Sequence, residues 1–191
     1  MAGDADLTAE NIKKDVVMFG VTGTHEGGGG ATYNAGVPKT GQTTSYRTGD
    51  DGDLEKGVAW PDPRFTDHGN GTVTDNLTGL MWTKNANLPG GSTWNDAIDY
   101  CNAMNAGAGT YGYNDWRLPN VRELQSLIDY SRWSPALPSG HPFTGVQPYS
   151  YWSSSSADLS YEAWFVYLPL GRVDHDNNAD EYYVWPVRAG Q

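Results

Sequence analysis

The stretch from Tyr151 to Arg188 constrains this chain most. It opens with Tyr151-Trp152-Ser153-Ser154-Ser155-Ser156 and closes with Val184-Trp185-Pro186-Val187-Arg188. Between Ala163 and Leu168 it alternates, Trp164, Val166 and Leu168 on one face and Phe165 and Tyr167 on the other. That is the period-two signature of a strand with one face in a core. Gly171 permits a turn, and Arg172-Val173-Asp174 starts back. The polar run Asp174-His175-Asp176-Asn177-Asn178-Ala179-Asp180-Glu181 is expected as a loop, since no core could absorb it. Two aromatic ends thus frame a polar middle, the usual construction of a binding surface.

The chain has 191 residues, enough for one medium domain and an arm. It carries 8 Trp, 12 Tyr and 24 Gly, at a mean hydropathy of −0.60. Aromatics at low hydropathy imply a core of large rings closed by many turns, not a disordered chain. A net charge of −11 argues against nucleic acid, heparin-like polymers and anionic membrane as partners. Cys101 is the only cysteine, so no internal disulfide can form. No stretch is apolar for long enough to span a bilayer, so membrane insertion is not expected. The first residues, Met1-Ala2-Gly3-Asp4, lack the basic-then-apolar pattern of a secretory signal.

Residues 1–30 read as an N-terminal arm, with a helical turn or two near Ala9 to Lys14, a strand over Val16 to Val21, and a flexible linker at Gly27 to Gly30. Residues 31–191 read as the ligand-binding domain. Within it, Asp50-Asp51-Gly52-Asp53 is expected as a solvated acidic turn, because the spacing of a calcium loop is missing. Arg64 to Thr83 alternates strands and turns, with Asn70-Gly71 as a hairpin signal that asks for positive φ at both positions. Thr93 caps a helix whose stripe is Trp94, Ala97, Ile98, Cys101 and Met104; Cys101 on that stripe is expected as a buried structural thiol. Asn120 and Glu123 form the start of a second helix, with Val121, Leu124, Leu127 and Ile128 facing inward. Ser134 to Pro148, with four prolines, is a long loop. The order implies an α+β fold, two helices packed on twisted antiparallel sheets.

Five motifs appear together in order: Thr78-Gly79-Leu80-Met81-Trp82; Trp116-Arg117-Leu118-Pro119 with Glu123-Leu124; Tyr151-Trp152-Ser153-Ser154; Ala163-Trp164; and Pro186-Val187-Arg188. Over Arg64 to Arg188 the chain resembles the Lcl C-terminal domain family, named after a collagen-like bacterial adhesin. The resemblance implies a C-type lectin-like fold. It extends to the target proteins of diversity-generating retroelements, whose C-terminal stretch is rewritten at template adenines, typically in AAC codons. Such rewriting cannot yield Trp, Met, Lys, Gln or Glu. Tyr161, Tyr167, Pro169, Leu170, Arg172, Asp174, His175 and Asp176 all belong to the permitted set and are the expected ligand-binding, variable positions. Trp152, Trp164, Trp185 and Arg188 are expected as frame.

No catalytic residue is expected. His25, His68, His141 and His175 lie in apparent turns or loops without signature partners, and Ser153 to Ser156 holds no nucleophile elbow. No cofactor or metal is expected: Trp94-Asn95-Asp96 imitates a lectin calcium motif but opens a helix, and the Asp174 to Glu181 run lacks a complete loop pattern. The expected function is therefore non-enzymatic binding of a protein or glycan on a target cell or particle, from an extracellular cell surface or virion surface. The second reading is a fixed-site glycan-binding adhesin.

Overall fold

The computed structural model describes residues 17–18, 21–22, 36–158 and 160–190. The chain divides into two units, Met1–Gly36 and Val37–Gln191. In the first, β1 (Val17–Met18) pairs antiparallel with β2 (Val21–Thr22). The single strand expected over Val16 to Val21 is thus two short paired strands. The helical turns expected near Ala9 to Lys14 and the linker at Gly27 to Gly30 lie outside the described residues.

The second unit is α+β. A short helix α1 (Asp51–Leu54) precedes β3 (Phe65–Asp67), β4 (Thr72–Asp75), β5 (Met81–Thr83) and β6 (Gly91–Ser92). Helices α2 (Trp94–Ala103) and α3 (Val121–Gln125) follow. The chain ends in β7 (Ser150–Ser156), β8 (Glu162–Tyr167), β9 (Arg172–Asn177), β10 (Tyr182–Tyr183) and β11 (Val187–Arg188). One sheet has the order β11-β5-β4-β3 and the other β6-β10-β7-β8-β9; the second is mixed and not antiparallel throughout as expected, because β10 runs parallel to β7.

Local chemistry explains each helix start. The Thr93 hydroxyl accepts the Asp96 N–H and donates to its carboxylate at 2.7 Å, so Trp94-Asn95-Asp96 does open α2. Asn120 accepts the N–H groups of Arg122 and Glu123, and Glu123 accepts the Asn120 N–H at 2.8 Å, a complete capping box. Asp50 caps α1 and accepts N–H groups from Tyr46, Arg47 and Asp53, so the acidic turn spends its carboxylate on its own backbone. Those bonds, the one from Tyr46 foremost, hold the Asp50 carboxyl below its ordinary range.

The hairpin between β3 and β4 departs from expectation. Positive φ falls at Gly69 (72°) and Gly71 (92°), not at Asn70. With two glycines available, Asn70 is free to turn its carbonyl oxygen onto the Thr72 N–H and hydroxyl, at 3.1 and 2.6 Å.

The five-stranded sheet is covered on both faces, where one was expected. On one face Tyr151, Val166 and Leu168 join Leu124, Leu127 and Ile128 of the α3 region in the main core. On the other, Trp152, Ala163, Phe165 and Val184 pack with Ala97 and Cys101 of α2. Two helices on opposite faces require large rings at successive positions of β7 and β8, which blurs simple alternation. Cys101 is buried as expected, and burial pushes its thiol up to about 12.

The sequence motifs lie where the sheets join. Val187 pairs with Trp82 and Arg188 with Met81, while Arg117 and Val187 exchange two backbone bonds of 2.9 Å. The Trp185 indole donates to the Thr83 carbonyl at 2.9 Å. Two buried arginines lock the ends: Arg64 makes a two-pronged bond to Asp75 at 2.7 and 3.0 Å, and Arg188 meets Asp115 at 2.6 Å beneath the Tyr113 ring.

Candidate functional surface

The β8–β9 hairpin carries most of the residues expected to bind ligand, and their placement differs from the sequence reading in four respects. First, Asp174, His175 and Asp176 sit on β9, a regular strand at the sheet edge, not in a loop. Ladder bonds to β8 over the register Glu162↔Asn177 to Tyr167↔Arg172 satisfy that polar backbone, so the strand needs no apolar side chains of its own.

Second, the register sends the residues to opposite faces. Tyr167, Arg172, Asp174 and Asp176 share the face of Phe165, whereas His175 shares that of Trp164. His175 Nδ1 lies 2.7 Å from Glu162 Oε2, and its ring meets Trp164 edge-on at 5.0 Å. Trp164, expected as frame, is accordingly only partly buried. The strand outruns α3, and only Val166 and Leu168 reach the helix on that face.

Third, Pro169 is buried and contributes no surface, and its carbonyl accepts the Ser134 N–H of the proline-rich loop at 3.0 Å. Fourth, Tyr161 (51% exposed) and Leu170 (64% exposed) stand at opposite ends of β8. A six-residue strand separates them by about 17 Å or more at ~3.4 Å per residue. Gly171 turns the chain at φ 66°, and a Cβ there would lie 2.4 Å from Ile128, so the turn is held against the main core.

One group does assemble. Tyr149, 51% exposed just before β7, meets Tyr167 and Tyr182 edge-on, with ring centroids 6.5 and 6.0 Å away. The Arg172 guanidinium lies 5.6 Å from the Tyr167 ring and 3.8 Å from Asp174. Tyr182 lies over Trp152 and Phe165 at 4.5 and 4.9 Å and donates its hydroxyl to Asp176 at 2.7 Å. That bond holds the Asp176 carboxyl low; burial first, then the carboxylate, pushes the Tyr182 phenol up. The result is a surface of amphipathic rings on a packed base, with an arginine and two carboxylates at its margin. Such rings offer large contact area at small entropic cost.

Sequence reading missed Tyr149 and Tyr182. Their signal was the pair of tyrosine clusters, Tyr149-Ser150-Tyr151 and Tyr182-Tyr183, flanking the alternating stretch. It was masked because Tyr151 and Tyr183 belong to the opposite face, where they pack at 5.6 Å.

The aspartates of β9 have a second use. Asp174 accepts the His175 N–H at 3.0 Å and Asp176 accepts the Asn177 N–H at 2.8 Å. An edge strand with its donors engaged by its own side chains is a poor template for another strand.

Among the described residues, no group of three or more His, Cys, Asp or Glu side chains is placed to hold a metal ion, and no helix is long and apolar enough to cross a membrane. No curated protein matches the chain. The Lcl C-terminal domain family matches residues 71–188, more than half the chain and the whole frame from β4 to β11, and the chain belongs to that family.

Proposed function

We propose that this is a non-enzymatic ligand-binding domain, built on a C-type lectin-like scaffold, that recognises a protein or glycan on another cell or particle. The observation that carries this reading is the surface of Tyr149, Tyr167 and Tyr182 with Arg172, Asp174 and Asp176, in which Tyr149 and Arg172 are exposed and the others half-buried, with Tyr182 over Trp152 and Phe165. Membership of a family named for an adhesin domain agrees with it. Two side chains of the frame that could serve covalent chemistry are committed elsewhere: the Cys101 thiol is buried, and the Ser153 hydroxyl donates to the Trp164 carbonyl at 2.6 Å. Display of the surface on a cell or virion exterior belongs to the same proposal.

Its finer part is that the C-terminal stretch is diversified, as in retroelement target proteins. The surface residues Tyr167, Arg172, Asp174 and Asp176 all belong to the adenine-rewritten set, while Trp152, packed beneath Tyr182, does not. A neighbouring reverse transcriptase gene and an imperfect repeat of the coding region for residues 151–188 are expected in the surrounding DNA. For binding itself, the labelled chain is titrated onto candidate target cells beside a Tyr149→Ala/Arg172→Ala variant. Saturable binding that the variant loses, at unchanged melting temperature, supports the reading; equal binding by both overturns it.

A further inference from the structure

A shallow groove of about 180 Å³, which shares no lining residue with the tyrosine surface, is lined by Tyr46, Tyr130 and Trp133 and by Gln42, Thr44 and Ser131 among others. Two chain segments build it, and they are joined where the Tyr130 N–H donates to the Thr40 carbonyl at 2.9 Å. The Tyr130 hydroxyl is held by Gln125 at 3.0 Å and faces the Gly171 carbonyl at 3.4 Å, so the ring is braced against the β8–β9 turn. Ser131 is fixed by Asp129, which accepts its N–H and hydroxyl at 2.9 and 2.6 Å. Tyr130 and Ser131 are therefore held by bonds to residues outside the groove.

Its aromatic content is unusual for this molecule. Of eight tryptophans, Trp133 alone is exposed, at 76%, and Tyr46 is 89% exposed. Every other tryptophan is at least partly covered, and leaving a large ring in water forgoes its burial energy. The remaining lining consists of hydroxyls and amides, with no charged side chain. Rings with a negative π face attract C–H groups, and hydroxyls and amides both donate and accept hydrogen bonds. A ligand that matches both has an apolar C–H face and a rim of neutral hydroxyls.

We propose that this groove is a second binding site, for one ring of a neutral oligosaccharide. The volume is below the ~300–1,000 Å³ of sites that enclose a drug-sized ligand, so one sugar ring sits in the groove and the next runs over Trp133. The uncharged lining and the net charge of −11 select against sulfated or carboxylated sugars.

The test uses the full chain and two readouts, calorimetric titration and the acrylamide accessibility of tryptophan fluorescence. The probes are neutral tetrasaccharides of glucose, galactose, mannose and N-acetylglucosamine, a sulfated tetrasaccharide, and a linear peptide library. The expected result is millimolar or tighter binding of at least one neutral probe, with Trp133 shielded from acrylamide. Trp133→Ala and Tyr46→Ala should each weaken that binding by about tenfold or more, and Trp133→Phe by less. Melting temperatures should stay unchanged, since both rings are exposed. Tyr149→Ala/Arg172→Ala should bind the sugar as the parent does, which separates this site from the tyrosine surface. The proposal is overturned if no neutral probe binds, if only sulfated sugars or peptides shield Trp133, or if sugar binding survives both groove variants.

Discussion

Arg64 and Arg172 each sit beside an aspartate on a sheet of the same domain, and they do opposite work. Arg64 has a side chain 7% exposed and grips a fully buried Asp75 at 2.7 Å. Its guanidinium also donates to the Ser126 carbonyl at 2.8 Å and lies over Trp60 and Phe65. Arg172 is 63% exposed, and its partner Asp174 is 47% exposed at 3.8 Å. The first arginine ties the four-stranded sheet to the end of α3 and has nowhere else to go. The second can leave its aspartate for a ligand at little cost, because water already screens the pair. Frame and recognition surface therefore differ in how many partners each polar group has, not in residue type.

That contrast is tested hardest at the frame. Arg64→Ala leaves Asp75 charged, buried and without its guanidinium, and should destabilise the domain by about 3–5 kcal/mol. Against a total of about 5–15 kcal/mol, urea unfolding should show a large shift in midpoint or an unfolded product. Arg172→Ala measured beside it should stay within about 0.5 kcal/mol of the parent. Equal losses would show that the two pairs are not different in kind.

Tryptophans sharpen the same division. Trp116 and Trp152 are 1% and 0% exposed, and truncation to Ala should cost about 3–5 kcal/mol each. Trp164, half-exposed against His175, should cost only about 1–2 kcal/mol. Thermal unfolding of the three variants ranks them; a Trp164 variant as damaged as Trp152 would place its ring in the core after all.

A smaller effect is expected at the start of α3. Arg117 and Glu123 form two bonds of 2.6 Å, with the arginine side chain 44% exposed. Burial raises the Glu123 carboxyl, but the Arg117 bond and the Asn120 N–H together outweigh it and leave it lowered. A lowered carboxylate contributes stability above its unfolded value of about 4.3, and that contribution disappears as pH falls through the folded value. Glu123→Gln keeps a capping-box acceptor and removes the charge. It should cost about 0.2–1 kcal/mol at neutral pH and flatten the stability profile below about pH 4.3.

Much of the frame was legible in the sequence because it rests on local signals. Thr93 and Asn120 mark helix starts by chemistry that acts within four residues, and Cys101 declares its burial by its place on the α2 stripe. The buried ion pair of Arg64 and Asp75 was not legible, since nothing short-range brings Ser126 to complete it. The surface was harder still. Alternation indicated that Phe165 and Tyr167 share a face, but not that Phe165 is buried in the cluster with Ala97 and Cys101 of α2 while Tyr167 packs at its margin, only partly buried. His175 was grouped with Asp174 and Asp176 because a polar run gives no register; pairing with Trp164 decides it. Pro169 looked like a turn residue and is buried by the loop from Ser134, a contact between segments far apart in sequence.

The smallest effect on stability concerns the edge strand. Asp174 accepts the His175 N–H on β9, the outermost strand of its sheet, and its only other contact of note is the loose one to Arg172. Asp174→Ala should therefore change stability by no more than about 0.5 kcal/mol. The His175 N–H would then be open to a partner strand, with one charge fewer to repel it. Sedimentation at rising protein concentration should show the variant self-associating where the parent does not. Asp174→Asn keeps an acceptor for the N–H without the charge. If it associates like the alanine variant, repulsion guards the edge; if it stays like the parent, the hydrogen bond does. An alanine variant that neither unfolds nor associates would mean that Asp174 is free of structural duty and available wholly to ligand.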